Sequence, residues 1–256
     1  MFRWIKIAFI TLIGALLVWL AFEFLTFPDL VKLRSENPTS TSLIDGRIAE
    51  AESEGKKPAK KMIWQPISQI SPNLQRAVIA GEDARFFEHN GFDWEAIEKA
   101  WNEAVKEGEK EAKAEQDYDP NSWIPPLPSF KRGASTITQQ LVKNLYLSEE
   151  RSFFRKGREA TITYFIEKEL SKRRILEIYL NVIEWGDGIY GAEAASRHYF
   201  KKSASNLSAR EAAYLAAMIP SPLNVFNPRK NPRRVARRQR AIMRHMNSVR
   251  LVYRDK

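Results

Sequence analysis

The chain has 256 residues, of which 44% are hydrophobic and 11% aromatic, which excludes wholesale disorder and allows one medium domain with appendages. Lysine and arginine number 41 against 31 aspartates and glutamates, a formal net charge of +10. With no cysteine and only His89, His198 and His245, disulfides, zinc–thiolate sites, iron–sulfur clusters and cysteine nucleophiles are excluded.

Residues 7–22 (IAFITLIGALLVWLAF) carry no charge. A helix from Trp4 through Leu25 would be about 33 Å long at ~1.5 Å per residue, enough to cross a bilayer. Trp4 and Trp19 suit the interfaces, and Arg3 and Lys6 ahead of the run predict a cytoplasmic N-terminus with the remainder outside. A cleaved signal peptide is the rival reading. No A-x-A site follows, and Phe22, Phe24 and Phe27 crowd the exit, so the sequence favours an uncleaved anchor over residues 1–28. Residues 29–61 are polar and charge-rich and read as a stem, and a globular domain is expected over 62–250.

Within that domain, Ser71–Pro72 is a helix start, with Ser as N-cap and Pro at the first helical position. Residues 103–130 begin as a run of Glu and Lys and end in DPNSWIPPLPSF, an inserted loop with a short charged helix. Thr136 with Gln139 fits a capping box, as does Ser208 with Glu211. Further helices are expected over 152–183, 191–200 and 233–249. No alternating strand exceeds a few residues, so the predicted fold class is mostly α.

Three segments carry candidate chemistry. In residues 81–91 (GEDARFFEHNG), adjacent Glu82 and Asp83 meet aromatic surface; mutual repulsion and desolvation both raise a carboxyl pKa toward that of a usable base. The alternative is a solvated pair at a helix end. In residues 133–144 (GASTITQQLVKN), a helix N-terminus offers free N–H groups to an anion, with Gln139 and Lys143 on one face. The alternative is an ordinary capped helix. In residues 151–159 (RSFFRKGRE), Arg151, Arg155 and Glu159 share a helix side, either as surface ion pairs or as a cationic wall for a diphosphate.

Together these segments resemble the peptidoglycan glycosyltransferases, glycosyltransferase family 51. GEDARFFEHNG is similar to the family's E-D-x-x-F-x-x-H-x-G motif, GASTITQQ to G-x-S-T-I-T-Q-Q, and RKGRE to R-K-x-x-E. KRRILEIYLN at 172–181 resembles the fourth motif and RRQRAIM at 237–243, loosely, the fifth. The resemblance implies a lysozyme-like, mostly α glycosyltransferase domain behind a single N-terminal transmembrane helix, of the monofunctional type. It further implies polymerisation of lipid II into β-1,4-linked strands, with inversion and release of undecaprenyl diphosphate.

By position, Glu82 matches the catalytic base and Glu159 the second acidic residue of the family site. Asp83, Ser135, Gln139, Gln140, Lys143, Arg151 and Lys156 match substrate-binding positions; Asp83 could also orient Glu82 and Glu159 the cationic groups, or the two could hold a divalent cation, Mg or Mn. His89 and Phe86 read as structural. Implied partners are lipid II, the lipid-linked strand, the cytoplasmic membrane, a transpeptidase and division or elongation proteins, and no nucleic acid. The implied location is the bacterial inner membrane, with the catalytic domain on the periplasmic side. Rival functions are a muramidase or lytic enzyme on finished glycan, and a non-enzymatic wall-binding scaffold. The 53 residues from Glu82 to Ser135 exceed the family pattern, and the excess coincides with 103–130.

Overall fold

The computed structural model describes residues 2–114, 127–129, 134–147 and 152–253; several side chains of the N-terminal helix also lie outside the described set. In chain order the helices are α1 (Phe2–Leu25), α2 (Ser42–Ser53), α3 (Pro72–Glu82), α4 (Trp94–Ala114), α5 (Ile137–Tyr146), α6 (Phe153–Glu169), α7 (Lys172–Val182), α8 (Ala192–Phe200), α9 (Ala209–Met218) and α10 (Pro232–His245). Three short strands, β1 (Lys61–Met62), β2 (Glu184–Gly186) and β3 (Ile189–Tyr190), form one sheet in the order β1-β3-β2. In that sheet β1 runs parallel and β2 antiparallel to β3. The mostly helical expectation holds.

Local signals start the helices where the sequence places them. Ser71 accepts a hydrogen bond from the Asn73 amide at 3.2 Å, with Pro72 opening α3. Both expected capping boxes form, Thr136 with Gln139 and Ser208 with Glu211. Between α6 and α7 the chain breaks at Leu170, and the Ser171 hydroxyl caps the new helix through the Arg174 amide.

Packing divides into two groups that share one core. α7 is buried on nearly every side, with Ile175, Leu176, Ile178, Tyr179, Leu180 and Val182 all fully enclosed, and it meets α5, α6 and α8. α3, α9 and α10 pack on one another. Each enclosed aliphatic side chain contributes roughly 1.5–3 kcal/mol of transfer free energy. Trp185 anchors the sheet to the second group by donating its indole N–H to the Leu215 carbonyl at 3.0 Å.

The segment 29–61, read as a stem, is in large part folded onto the domain. Leu30 and Leu33 join the core, Ile44 is fully buried, α2 packs on α5, and β1 pairs with β3. Its polar composition hid this, because only one residue per turn or fewer faces inward. Residues 103–114, where a short charged helix was expected at the start of an inserted loop, are helical and form the second half of the longer α4. That helix is capped by Asp93, whose Oδ1 accepts from the Ala96 amide at 2.9 Å. Residues 127–129 lie along it: Ser129 N–H donates to the Ala104 carbonyl, and a Cβ on Gly108 would clash with the Leu127 carbonyl oxygen. The rest of the proline-rich stretch falls outside the described residues.

A continuous N-terminal helix of 24 residues forms as expected. Among the described residues, however, no helix is long and apolar enough to cross a membrane. The C-terminal end of α1 is fastened to α6. Arg158 donates to Glu23 at 2.8 Å and to the Thr26 hydroxyl and carbonyl at 2.9 and 2.7 Å, while Trp19 meets Phe154 and Phe27 meets Phe165.

Candidate active site

The site is built where the C-terminal end of α3 meets the N-terminal end of α5. Asp83 makes this junction. Its Oδ2 accepts from the Ile137 amide at 3.0 Å, in the first turn of α5, and its Oδ1 lies 2.9 Å from His89 Nε2. A carboxylate against the positive end of a helix is favourable in its own right. Both oxygens are therefore spent inside the fold, and Asp83 is not among the residues lining the cleft. Gln139 behaves likewise: its Oε1 accepts from the Thr136 amide at 3.0 Å within the capping box. The sequence reading placed both residues on substrate; the structure instead uses them to hold α3 and α5 in register.

Glu82, one residue earlier, points the other way, into a cleft of about 380 Å³. Its side chain is 6% exposed. Oε1 accepts from Arg238 Nη2 at 2.7 Å and Oε2 from Gln140 Nε2 at 3.0 Å. Tyr179 donates its hydroxyl to Gln140 Oε1 at 2.7 Å, which fixes the amide with its NH₂ toward the carboxylate. Arg238 also donates to the Gly81 carbonyl at 2.9 Å. Burial pushes the Glu82 pKa above its ordinary value, opposed by Arg238, Gln140 and Lys143. The carboxylate is thus held rigidly and is more basic than a solvated one.

Ser135, Gln140 and Lys143 line the same cleft as Glu82, so the acid and the lysine the sequence singled out share one groove. Burial lowers the Lys143 pKa, while Glu159 beside it works in the opposite direction; Arg155 and Lys156 add to the lowering. Glu159 is buried and pairs with Lys156, and its other oxygen is 3.6 Å from Arg155 Nη1. Lys156 and Glu159 are not among the residues lining the cleft, and they act on Lys143 through their charges. Arg151 lies outside the described residues.

Four features of the site escaped the sequence reading. Arg238 and Tyr179 come from segments read as loose or packing motifs. Arg47 reaches the cleft from α2, 3.6 Å from Glu184 at the start of β2. Residues 219–224 (IPSPLN) form a further wall.

Asp83 and Glu159, the residues offered for a divalent cation, fit one poorly. Asp83, His89 and Asp93 bring ligand atoms within 4.8 Å of one another. Yet Asp93 is already gripped by Arg85 through both oxygens, at 2.6 and 3.1 Å, and by the Ala96 amide. A cation there would displace a guanidinium and break the junction at Asp83. Glu159 faces two cationic side chains in place of a metal.

A family model described as Transglycosylase matches residues 48–114 and 127–247. The match opens inside α2, and the unmatched residues 115–126 fall within the expected insertion. Three relatives are each named biosynthetic peptidoglycan transglycosylase. That of Thiobacillus denitrificans is 45% identical over 236 residues, 92% of this chain and 93% of the relative. That of Laribacter hongkongensis is 40% identical over 249 residues, 97% and 99%. That of Nitrosospira multiformis is 41% identical over 247 residues, 96% and 97%. Matched over most of its length by the family model and near end to end by these relatives, the chain belongs to the transglycosylase family.

Proposed function

We propose that this peptidoglycan glycosyltransferase polymerises lipid II with Glu82 as the general base. The observation that carries the reading is the placement of Glu82 and Lys143 in one cleft, the acid clamped by Gln140 and Arg238. The acceptor's 4-hydroxyl attacks the anomeric carbon of the donor strand, and its proton passes to Glu82. The bond from the anomeric carbon to the diphosphate oxygen breaks, a β-1,4 link forms, and undecaprenyl diphosphate departs with the electron pair. Each carboxylate oxygen has a second lone pair, so Glu82 can take the proton while still held by its two donors. A raised pKa improves proton transfer near neutral pH.

Lys143 meets the negative charge that develops on the leaving diphosphate, with the charges of Lys156 and Arg155 acting on it. Glu159 counters the mutual repulsion of these cations and favours the charged form of Lys143. Ser135 supplies a hydroxyl to the same groove, and Asp83 and Gln139 position the base by bracing its helices. A divalent cation is better read as arriving with the diphosphates than as held by a cage of side chains. The muramidase alternative is disfavoured because finished glycan has no diphosphate for the cations of the cleft to meet, and because Glu184 is ion-paired to Arg47 rather than poised as an acid.

Peptidoglycan synthesis places the protein with the cell envelope. For α1 we favour an inner-membrane anchor, N-terminus inside and catalytic domain outside. Supporting this are the uncharged run at 7–22, a length of about 36 Å at ~1.5 Å per residue, and the exposure of Phe9, Ile10, Val18 and Phe22. The strands must then be cross-linked, so a transpeptidase and the division or elongation proteins are the expected partners. The test is to incubate the detergent-solubilised chain with labelled lipid II, with and without Mg or Mn. Polymer and free undecaprenyl diphosphate are expected, with Glu82→Gln losing about 10²–10⁴-fold in turnover. Normal strand synthesis by that variant would overturn the assignment.

A further inference from the structure

α10 has three sides. Val235 and Ile242 face the core, Arg238 reaches inward to Glu82, and the third side is arginine. Arg233, Arg237, Arg240 and Arg244 recur at steps of four, three and four, and all four are exposed. At ~100° per residue they fall within an arc of about 60°, and at ~1.5 Å per residue they form a row about 16 Å long.

Nothing local rewards this row. No aspartate or glutamate occurs between Glu211 and Asp255. Among the described residues the one ion pair made from α10 is that of Arg238 with Glu82. Like charges at these spacings weaken a helix. Two arginines sit in its first turn against the positive end of the dipole, with no acidic residue there and no side-chain cap from Asn231. The row also begins at the cleft. Asn231, two residues before it, donates its side-chain amide to the carbonyl of Asn224, and Lys230 donates to the Leu223 carbonyl, both in the wall formed by 219–224.

We propose that this row is a docking surface for the glycan strand, gripping the carboxylates of its peptides as the polymer leaves the cleft. The inference rests on the proposed function, which supplies a polymer bearing peptide carboxylates at regular intervals. Geometry favours a strand over a lipid surface. The charges form a line that leads away from the cleft wall. α10 packs on α3 and α9, whereas the end of α1, the proposed anchor, is fastened to α6. The row is thus carried by a different helix from the one that meets the anchor.

The test is co-sedimentation of the full-length chain in detergent with purified uncross-linked glycan strands, either intact or stripped of their peptides by an amidase. Vesicles of phosphatidylglycerol and phosphatidylcholine form a third arm. The variants are R233Q/R237Q/R240Q/R244Q and its all-Lys counterpart. The wild type is expected to bind intact strands with an affinity that falls as salt rises. The Gln variant should bind them about ten-fold more weakly or worse, with a melting temperature no lower than wild type, and the Lys variant should keep most of the affinity. Stripped strands should bind weakly and equally to all three. Equal binding of intact strands by the wild type and the Gln variant overturns the proposal. So does a defect confined to the vesicles, or a Lys variant as weak as the Gln variant. Because finished strands are used, this readout is independent of lipid II turnover, which the same preparations report separately; failure there refutes the proposed function and not the docking row.

Discussion

Arg238 stands 156 positions from Glu82 in sequence and 2.7 Å from it in space. Replacing it with Gln removes a charge-assisted hydrogen bond to a carboxylate that burial is already pushing toward its neutral form. Such a bond is worth about 1.5–3 kcal/mol, or a factor of about 10–150 in kcat/KM if it is lost from the transition state. The sign is set by the role of the group. A base must be ionised, so activity rises with pH through the Glu82 titration, and loss of Arg238 moves that acidic limb to higher pH. The deficit should be largest at low pH and shrink as pH rises. Arg238→Lys, which keeps the charge but only one of the two contacts with good geometry, should fall between the two. The assay is initial-rate polymerisation of labelled lipid II across the pH range, with circular-dichroism melting to confirm folding. A folded Arg238→Gln enzyme with wild-type kcat/KM and an unmoved acidic limb would show that the Glu82 clamp has no part in the chemistry.

Tyr179→Phe removes the hydroxyl that fixes the Gln140 amide; a several-fold drop in kcat and a stability loss of about 0.5–1.5 kcal/mol are expected, checked by kinetics and urea melts. Gly91 has φ +88°, and a Cβ there would lie 2.7 Å from Thr163 Cγ2. Gly91→Ala should therefore cost about 1–3 kcal/mol, read as a lowered melting temperature. Glu211, held by Lys202 and Ser208, has its pKa depressed from 4.5 to about 2. Its contribution to stability is present above pH 4.5 and is lost as pH falls toward 2, so Glu211→Gln should flatten acid unfolding in that window.

What the sequence made legible was local. Both capping boxes and the Ser71–Pro72 start are written within four residues, and they formed. Glu82, Ser135, Gln140 and Lys143 could be picked out because the motifs bearing them also specify the helix ends that aim them. Asp83 and Gln139 sit in those same motifs, yet their side chains close the fold rather than face substrate, a distinction that only the path of the backbone decides. Arg238, Tyr179 and Arg47 were invisible as site residues because their partners lie far away in sequence, and no periodicity encodes such a meeting. α2 and the first half of α4 were missed for a related reason: an exposed helix can be almost wholly polar and still be held by one buried isoleucine, or by a cap at its start.

The grip of Arg158 on Glu23 and Thr26 leaves almost no slack between α1 and α6. With α1 as the proposed anchor, this junction acts as a ruler that sets the altitude of the groove above the bilayer. An α1 lengthened by a few residues ahead of Glu23 would lift the groove too high for pyrophosphoryl headgroups to reach Lys143, with every reacting side chain intact.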